Sequence, residues 1–431
     1  MTTSNLPLIP GVRVAPNDHR GPDMAARVER VVIINDASTA WGGATGLALL
    51  SAELLTARGV PVTFVAGDKG DGEKLAELGV EIVAVGGRGL VHQGKLKAMK
   101  TGLYNTAARD RLAAWIRDND GPGVVYHLHG WSKILSPAIF DALRPVAPRT
   151  VIHAHDFFLA CPNGGFMDYR HDQPCGRVPL GVDCLTTNCD KRSYGQKLWR
   201  VGRQKVLRAR FLGPPWARIV MIHGRMAPYL EKAGIDPRLM FELPNPTEPI
   251  CTDRVTVETN RDFLFIGRVE AEKGIEDAIA AARLAGVPLK VIGEGPLRMP
   301  LTRQYPEVDF LGWKSREDMA GILAGARALI MPSRYPEPYG LVAAEAARSG
   351  LPVILAQTAF LGPDFLRLGI GLCCDTRDPD RLAAAIAVIR DMEPARIREM
   401  SLRARREADR VSTTPGAWIE GLMAQYTRTV R

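Results

Sequence analysis

The chain has 431 residues, 46% apolar and 24% charged, the make-up of a soluble globular protein too long for one ordinary α/β core, so two domains are expected. No apolar run reaches the roughly 18 residues that a membrane span needs. Met1 to Gly21 is polar and proline-bearing, with no apolar export-signal region, so residues 1–25 read as a loose leader. The formal net charge of +9 favours an anionic partner, whether a nucleotide-linked substrate, an anionic membrane face or a nucleic acid. Seven cysteines without an export signal fit a reducing compartment, and a cytoplasmic protein is expected.

Arg30 to Asp36 is an apolar run suited to the centre of a parallel sheet. The glycine loop from Ala40 to Gly46, with Gly42 and Gly43, leads into an apolar helix ending near Gly59, and Pro61 to Val65 is the next strand. Glycines between strand and helix let the backbone approach a phosphate, although the spacing is not the dinucleotide G-x-G-x-x-G. A tight strand-to-helix turn is the plain alternative.

Further strand–helix alternation follows: Glu81 to Val85, a helical stretch from Lys95 to Ile116, a strand from Val124 to His129, a helix from Lys133 to Leu143, and a strand from Thr150 to Asp156. Two strands thus end in H-x-H. His127 and His153 alternate inward and read as core residues, whereas His129 and His155 are expected at the mouth, as the functional candidates. A metal site would need ligands converging from both strands, and neutral imidazoles can bind substrate hydroxyls without an ion. Asp118-Asn119-Asp120 fits a metal-binding D-x-D literally but abuts Gly121-Pro122-Gly123, so it reads as a solvated turn.

Residues 157–210 break the alternation. Cys161, Cys175, Cys184 and Cys189 lie in a loop-rich insert, where they suggest a structural zinc staple or reduced free thiols, with a redox disulfide third. There is no C-x-x-C pair. From Lys191 to Arg210 the chain carries eight Lys or Arg and no acid. That basic amphipathic helix could lie on an anionic membrane, contact an anionic acceptor, or simply present a solvated face.

Ala217 to His223 and Met240 to Leu243 are further strands, and Pro244 to Pro249 reads as an interdomain linker. A second α/β run begins at Phe263 to Ile266, followed by Gly267-Arg268 and Lys273-Gly274 ahead of a helix. Pro288 to Ile292 leads to Gly293-Glu294-Gly295-Pro296, then come a strand from Val308 to Gly312 and a helix from Ser315 to Ala326. Ala328 to Met331 is a buried strand, and the Pro- and Gly-rich loop after it holds Glu337, Tyr339 and Gly340 before a helix carrying Glu345. Free helix N–H groups near Tyr339, Gly340 and Leu341 suit an anion. A guanidinium at Arg268 and an ammonium at Lys273, both at one strand end, suit a diphosphate. Leu351 to Leu355 is a strand and Pro379 to Ile389 a helix.

With Gly267-Arg268, Lys273-Gly274, the turn at Gly293 and the Glu337/Glu345 pair in this order and spacing, the sequence resembles glycosyltransferase family 4, the group 1 retaining glycosyltransferases. The resemblance runs from about Arg30 to the C-terminus and is strongest over Phe265 to Val353. It implies a GT-B architecture, two Rossmann-like domains with parallel sheets facing across a central cleft. Residues 26–245 would be the acceptor-side domain with the insert at 157–210, residues 246–411 the nucleotide-sugar domain, and residues 412–431 a helix packing back on the first domain. By position, Arg268 and Lys273 would bind the donor diphosphate, Glu345 the ribose and Glu337 the transferred sugar. The amides at Tyr339, Gly340 and Leu341 would contact phosphate or sugar. Gly42, Gly43 and Gly293 would belong to the donor-binding turns, and His129 would be the active-site histidine. Tyr339 stands where many members have phenylalanine, and the cysteine insert occurs in only part of the family.

The expected activity is transfer from a nucleoside diphosphate sugar to a hydroxyl, with retention and without a catalytic metal, on a lipid-linked or saccharide acceptor of cell-envelope synthesis. Peripheral contact with an anionic membrane is expected, and nucleic-acid binding is not, for want of an aromatic-interleaved basic motif. A sugar phosphorylase, a nucleotide-sugar epimerase or a silent nucleotide-sugar-binding protein are the rival readings.

Overall fold

The protein is described by a computed structural model covering residues 27–40 and 42–430. The leader expected at 1–25 and Trp41 of the glycine loop lie outside the described residues.

The first domain starts with β1 (Arg30–Asn35), α1 (Gly43–Thr56), β2 (Val62–Ala66), α2 (Glu73–Glu77) and β3 (Glu81–Ala84). Next come α3 (Lys95–Leu103), α4 (Thr106–Asn119), β4 (Val124–Leu128), α5 (Ile139–Leu143) and β5 (Thr150–Ala154). The insert holds a small antiparallel hairpin, β6 (Met167–Asp168) and β7 (Gln173–Pro174), followed by α6 (Val182–Thr186) and α7 (Tyr194–Phe211). β8 (Arg218–Met221), α8 (Ala227–Glu231) and β9 (Met240–Glu242) complete it. The parallel sheet has the order β3-β2-β1-β4-β5-β8-β9. Val31, Val32, Ile33 and Ile34 are all fully buried, as a strand covered by helices on both faces requires.

The second domain comprises β10 (Asp262–Ile266), α9 (Ile275–Ala285), β11 (Leu289–Ile292), α10 (Arg298–Gln304), β12 (Asp309–Gly312), α11 (Arg316–Ala324) and β13 (Ala326–Met331). It continues through α12 (Leu341–Arg348), β14 (Val353–Ala356), α13 (Gly362–Leu368), β15 (Gly371–Cys374), α14 (Pro379–Arg390) and α15 (Pro394–Glu407). Its parallel sheet runs β12-β11-β10-β13-β14-β15.

The chain crosses between the domains twice, and the two crossings are tied together. Thr247 N donates to Thr413 O at 3.0 Å and Thr413 N to Asn245 O at 3.2 Å. α16 (Pro415–Thr429) then packs on the first domain, where Trp418, Ile419, Leu422 and Tyr426 join one buried cluster with Val31, Ile33 and Phe64. Each such side chain stabilises by about 1.5–3 kcal/mol, so the last helix belongs to the first core.

Three local expectations change. The helical stretch from Lys95 to Ile116 is two helices, because Asn105 caps the second by accepting from Ala108 N. The helix expected from Lys133 is only Ile139–Leu143: the amides of Lys133, Ile134 and Leu135 donate instead to the buried carboxylate of Asp36. The basic face of α7 is largely spent internally. Lys197 and Arg203 are buried, Arg200 pairs with Asp190, and Arg210 pairs with Asp141. Of the run from Lys191 to Arg210, only Lys191, Arg192 and Lys205 remain as exposed cations.

Candidate functional site

Each sheet reverses its strand order once, between β1 and β4 in the first and between β10 and β13 in the second. The crevice beyond the carboxyl ends at such a point is where a parallel sheet takes a ligand. Gly42, Gly43 and His129 follow β1 and β4, while Arg268, Lys273, Glu337 and Tyr339 follow β10 and β13.

Gly274 sets the second site. Its φ is 72°, and a Cβ there would strike the carbonyl of Pro332, so only glycine lets the turn after β10 approach the loop after β13. That approach delivers Lys273 onto Glu337. Lys273 Nζ lies 2.7 Å from Glu337 Oε1 and 2.8 Å from Tyr335 Oη, and Ser333 Oγ donates to Glu337 Oε2. Burial favours the neutral form of both groups. Lys273, with Ser333 and Tyr335, nevertheless holds Glu337 below the usual carboxylate range, and Glu337 holds Lys273 above the usual ammonium range.

Arg268 stands apart from this pair. Its side chain is 62% exposed and bonds Glu270 Oε1 at 2.8 Å, while its charge still acts on Tyr335. Gly293 packs the ends of the strands rather than opening a pocket: a Cβ there would collide with the Gly267 carbonyl, and its amide donates to Gly312 O.

Gly340 caps α12 in the left-handed region, and the first amides of that helix, from Leu341 on, face the cleft end of the loop. Glu345 accepts from Arg316 Nη1 at 3.0 Å on Oε1, and Arg316 also binds the carbonyls of Glu248 and Pro249 in the linker. Burial raises the Glu345 pKa against the pull of Arg316. The Tyr339 side chain does not reach towards a ligand: its buried hydroxyl bonds Asn245 O at 3.0 Å and Val411 O at 2.7 Å, one on each interdomain crossing.

Across the cleft, a Cβ on Gly43 would come 2.9 Å from Leu341 Cδ1, so the glycine loop abuts the start of α12. The domains also meet through Arg334 and Asp172 at 3.1 Å, Lys191 and Glu272, His223 and Asp364 at 3.3 Å, and the rings of Phe157 and Phe360. An interdomain cleft of about 320 Å³ lies beside the crossings, lined by His223, Arg225, Glu242, Tyr339, Asp364 and Arg410. It includes neither Lys273 nor Glu337.

The four strand-end histidines form one stack. His129 Nδ1 lies 3.1 Å from His155 Nε2, His129 Nε2 lies 3.1 Å from His127 Nδ1, and His127 Nε2 lies 3.3 Å from His153 Nδ1. Tyr426 Oη bonds His127 Nδ1 at 2.6 Å. His129 is buried and only His155 is partly exposed, so His155 alone of the two reaches the mouth. One nitrogen from each of His127, His129 and His153 falls within a 4.8 Å group, close enough for a metal, while the same rings hydrogen-bond one another and Tyr426. Burial holds all of these rings neutral below the usual histidine range, helped by neighbouring imidazoles at His127, His129 and His153, with His155 lowered to about 3 by burial alone. Asp120 of the D-x-D is taken by Arg149 at 2.7 Å and by Tyr126 at 2.8 Å.

Ser333, Tyr335 and Arg316 escaped the sequence reading, as did the cross-cleft partners Asp172 and Lys191. Only the position of Ser333 and Tyr335 in the loop that carries Glu337 could have flagged them.

Two parallel-sheet domains meeting at their switch points make this a GT-B fold. A solved structure of the same build, sucrose-phosphate synthase from Thermosynechococcus elongatus, superposes with a TM-score of 0.68 at 18% identity, over 93% of this chain and 98% of that one. Residues 252–407, most of the second domain, match the family model of the group 1 glycosyl transferases. Over 160 residues the chain is 36% identical to a glycogen synthase of Mycobacterium tuberculosis H37Rv, covering 34% of this chain and 38% of that one. It is also 36% identical over 153 residues to a GDP-mannose-dependent alpha-(1-6)-phosphatidylinositol dimannoside mannosyltransferase of Mycobacterium tuberculosis H37Ra, covering 34% and 39%. The chain thus spans about two fifths of the length of these two curated relatives.

Proposed function

We propose that the protein is a retaining glycosyltransferase of family 4 that moves a sugar from a nucleoside diphosphate donor to a hydroxyl. The observation that carries this is the buried Lys273–Glu337 pair at the switch point of the second sheet, inside the stretch that matches the group 1 model. Lys273, Arg268 and the α12 amides meet the charge that builds on the departing diphosphate. Each Glu337 oxygen keeps a lone pair for a sugar hydroxyl beyond its bonds to Lys273 and Ser333. Glu345 Oε2 is left for the ribose by the single bond that Arg316 makes to Oε1. The bond from the anomeric carbon to phosphate breaks, the bond to the acceptor oxygen forms on the same face, and the leaving phosphate oxygen takes the acceptor proton. No step needs a metal. His129 acts from beneath His155, whose ring it hydrogen-bonds at 3.1 Å.

The acceptor lies on the first domain and is a lipid-linked or saccharide hydroxyl, as in cell-envelope synthesis. Support for a lipid surface comes from α3 and the turn before it rather than from α7. Val91, Leu96 and Met99 are exposed by 72%, 85% and 50%, among the exposed Lys95, Lys97 and Lys100. No acid occurs from Ile82 to Arg109. Apolar side chains ringed by lysines suit an anionic bilayer, which gives the protein a peripheral place on the cytoplasmic membrane face.

A donor-hydrolysis screen over uridine, guanosine and adenosine diphosphate sugars tests the donor, followed by mass spectrometry of products made with envelope lipid and saccharide fractions. Arg268→Ala with Lys273→Ala should abolish transfer, assayed where circular dichroism shows the destabilised chain still folded. Near-normal turnover in that variant would remove the assignment.

A further inference from the structure

The insert from Phe157 to Ser193 has little regular structure of its own: two strands of two residues and the five-residue α6. Cys161, Phe166, Met167, Cys184 and Cys189 in it are nevertheless buried. A segment so poor in ladder hydrogen bonds needs another constraint to hold one conformation. Its four cysteines, distant in sequence, line a single cavity of about 10 Å³ together with Asn163, Arg177 and Lys197, room for one atom-sized occupant.

The charges around that cavity limit what can occupy it. Lys197 is 1% exposed, and its Nζ donates to Cys189 Sγ at 3.0 Å and Cys184 Sγ at 3.5 Å. The nearby acids are engaged elsewhere: Asp190 with Arg200, and Asp168 with His171 and Arg177. An ammonium buried among neutral thiols would be an unpaired charge, at a cost of several kcal/mol, so at least one of the two sulfurs it touches supplies negative charge. Further donors point at them: Asn163 Nδ2 lies 3.5 Å from Cys189 Sγ and Arg177 Nη1 3.6 Å from Cys175 Sγ. N–H groups aimed at sulfur are the usual surroundings of metal thiolates.

We propose that Cys161, Cys175, Cys184 and Cys189 bind one structural zinc ion as four thiolates, with Lys197 and Arg177 as the cations around them. Four thiolates and a divalent ion leave two negative charges, of which Lys197 offsets one, while Arg177, shared with Asp168, directs an N–H at Cys175 Sγ. Sulfur-only tetrahedral sites select zinc over harder cations, and the four residues between Cys184 and Cys189 fall within the spacing of zinc ligand pairs. Among the described residues no three of these sulfurs lie within 4.8 Å of one another. Binding therefore draws them inward, releases the thiol protons and moves the Lys197 ammonium to the rim.

The zinc would act at a distance on the second domain. From the insert, Asp172 takes Arg334, its carbonyl takes Arg377, and Lys191 reaches Glu272, the residue before Lys273. A metal-held insert thereby props the two loops that carry Lys273 and Glu337.

The test is metal content, which does not depend on the proposed activity. The full chain, purified without chelator, should hold about one zinc ion, released stoichiometrically by a mercurial. Cys184→Ser and Cys189→Ser should lower it to less than about a tenth. If those variants do not fold, cobalt exchanged into the unaltered chain decides, since four-sulfur coordination gives intense thiolate-to-cobalt bands in the near ultraviolet. Zinc retained by the cysteine variants, which would place it at the histidine stack, overturns the proposal. So does a metal-free chain, whether its four thiols are free or disulfide-linked, or a cobalt spectrum without thiolate bands.

Discussion

Lys273 and Glu337, 64 residues apart, form an ion pair of 2.7 Å whose side chains are only 17% and 12% exposed. Removing one member leaves the other charged and buried. Lys273→Ala should therefore cost about 3–5 kcal/mol of stability, whereas Lys273→Met with Glu337→Leu should recover most of that and none of the activity. Urea unfolding read beside donor turnover separates the two effects. If the double variant transfers sugar, the pair is structural only.

The same pair sets a pH window. The folded pKa of Glu337 lies below its reference of 4.5, so its stabilisation is complete above that pH and is lost as pH falls through the depressed value. Lys273 lies above its reference of 10.5, so its share is complete below that pH and is lost as pH rises through the raised value. Glu337→Gln should flatten the acid limb of stability below pH 4.5. Denaturant midpoints measured against pH check this, and an unchanged acid limb counts against it.

The histidine stack predicts a separate acid sensitivity at milder pH. Its rings are held neutral below the reference of 6.5, so the unfolded chain binds the extra protons. Stability is then full above pH 6.5 and falls as pH drops beneath it, continuing towards the folded values, about 3 for His155. Each such histidine contributes a slope of about 1.4 kcal/mol per pH unit. His153→Phe should remove roughly one proton of that dependence between pH 6 and 5, as read from the slope of unfolding free energy.

Gly43 and Leu341 touch across the cleft, with 2.9 Å available to a Cβ. Gly43→Val should hold the domains apart and lower turnover at least about tenfold with little change in melting temperature, because the cost falls on closure and not on either core. Leu341→Ala introduced beside it should restore part of the activity. No rescue would mean that the glycine serves the donor alone.

The lysines of α3 predict salt-sensitive membrane binding. Lys95→Glu, Lys97→Glu and Lys100→Glu together should abolish co-sedimentation with vesicles containing phosphatidylglycerol, each lysine being worth about 1 kcal/mol near such a surface. Turnover on a water-soluble acceptor should stay unchanged. Equal binding to neutral vesicles would exclude an electrostatic contact.

Tyr339 bonds both interdomain crossings through one hydroxyl. Tyr339→Phe should cost about 1 kcal/mol and lower the melting temperature by a few degrees. The hydroxyl binds backbone carbonyls and no proposed substrate group, so activity should persist.

Much of this molecule follows from local pattern. Fully apolar runs such as Val31 to Ile34, each ending at a glycine or proline turn before a helix, specify parallel strands and the loops beyond them, because strand, turn and helix chemistry reside in neighbouring residues. That suffices for two parallel-sheet domains and for the candidates at Arg268, Lys273, Glu337 and Glu345. Pairing across the topology decided the rest. Lys273 meets Glu337 only because the strand order reverses between β10 and β13 and Gly274 admits the close approach. Much of the basic run of α7, cationic by composition, turned inward to thiols, acids and carbonyls of other segments, whereas Lys95, Leu96, Lys97, Met99 and Lys100 of α3 all stay exposed. His129, read as a residue of the mouth, lies beneath His155. Charge and exposure are properties of neighbours in space, and for a chain folded on two sheets those neighbours are set by strand order rather than by sequence distance.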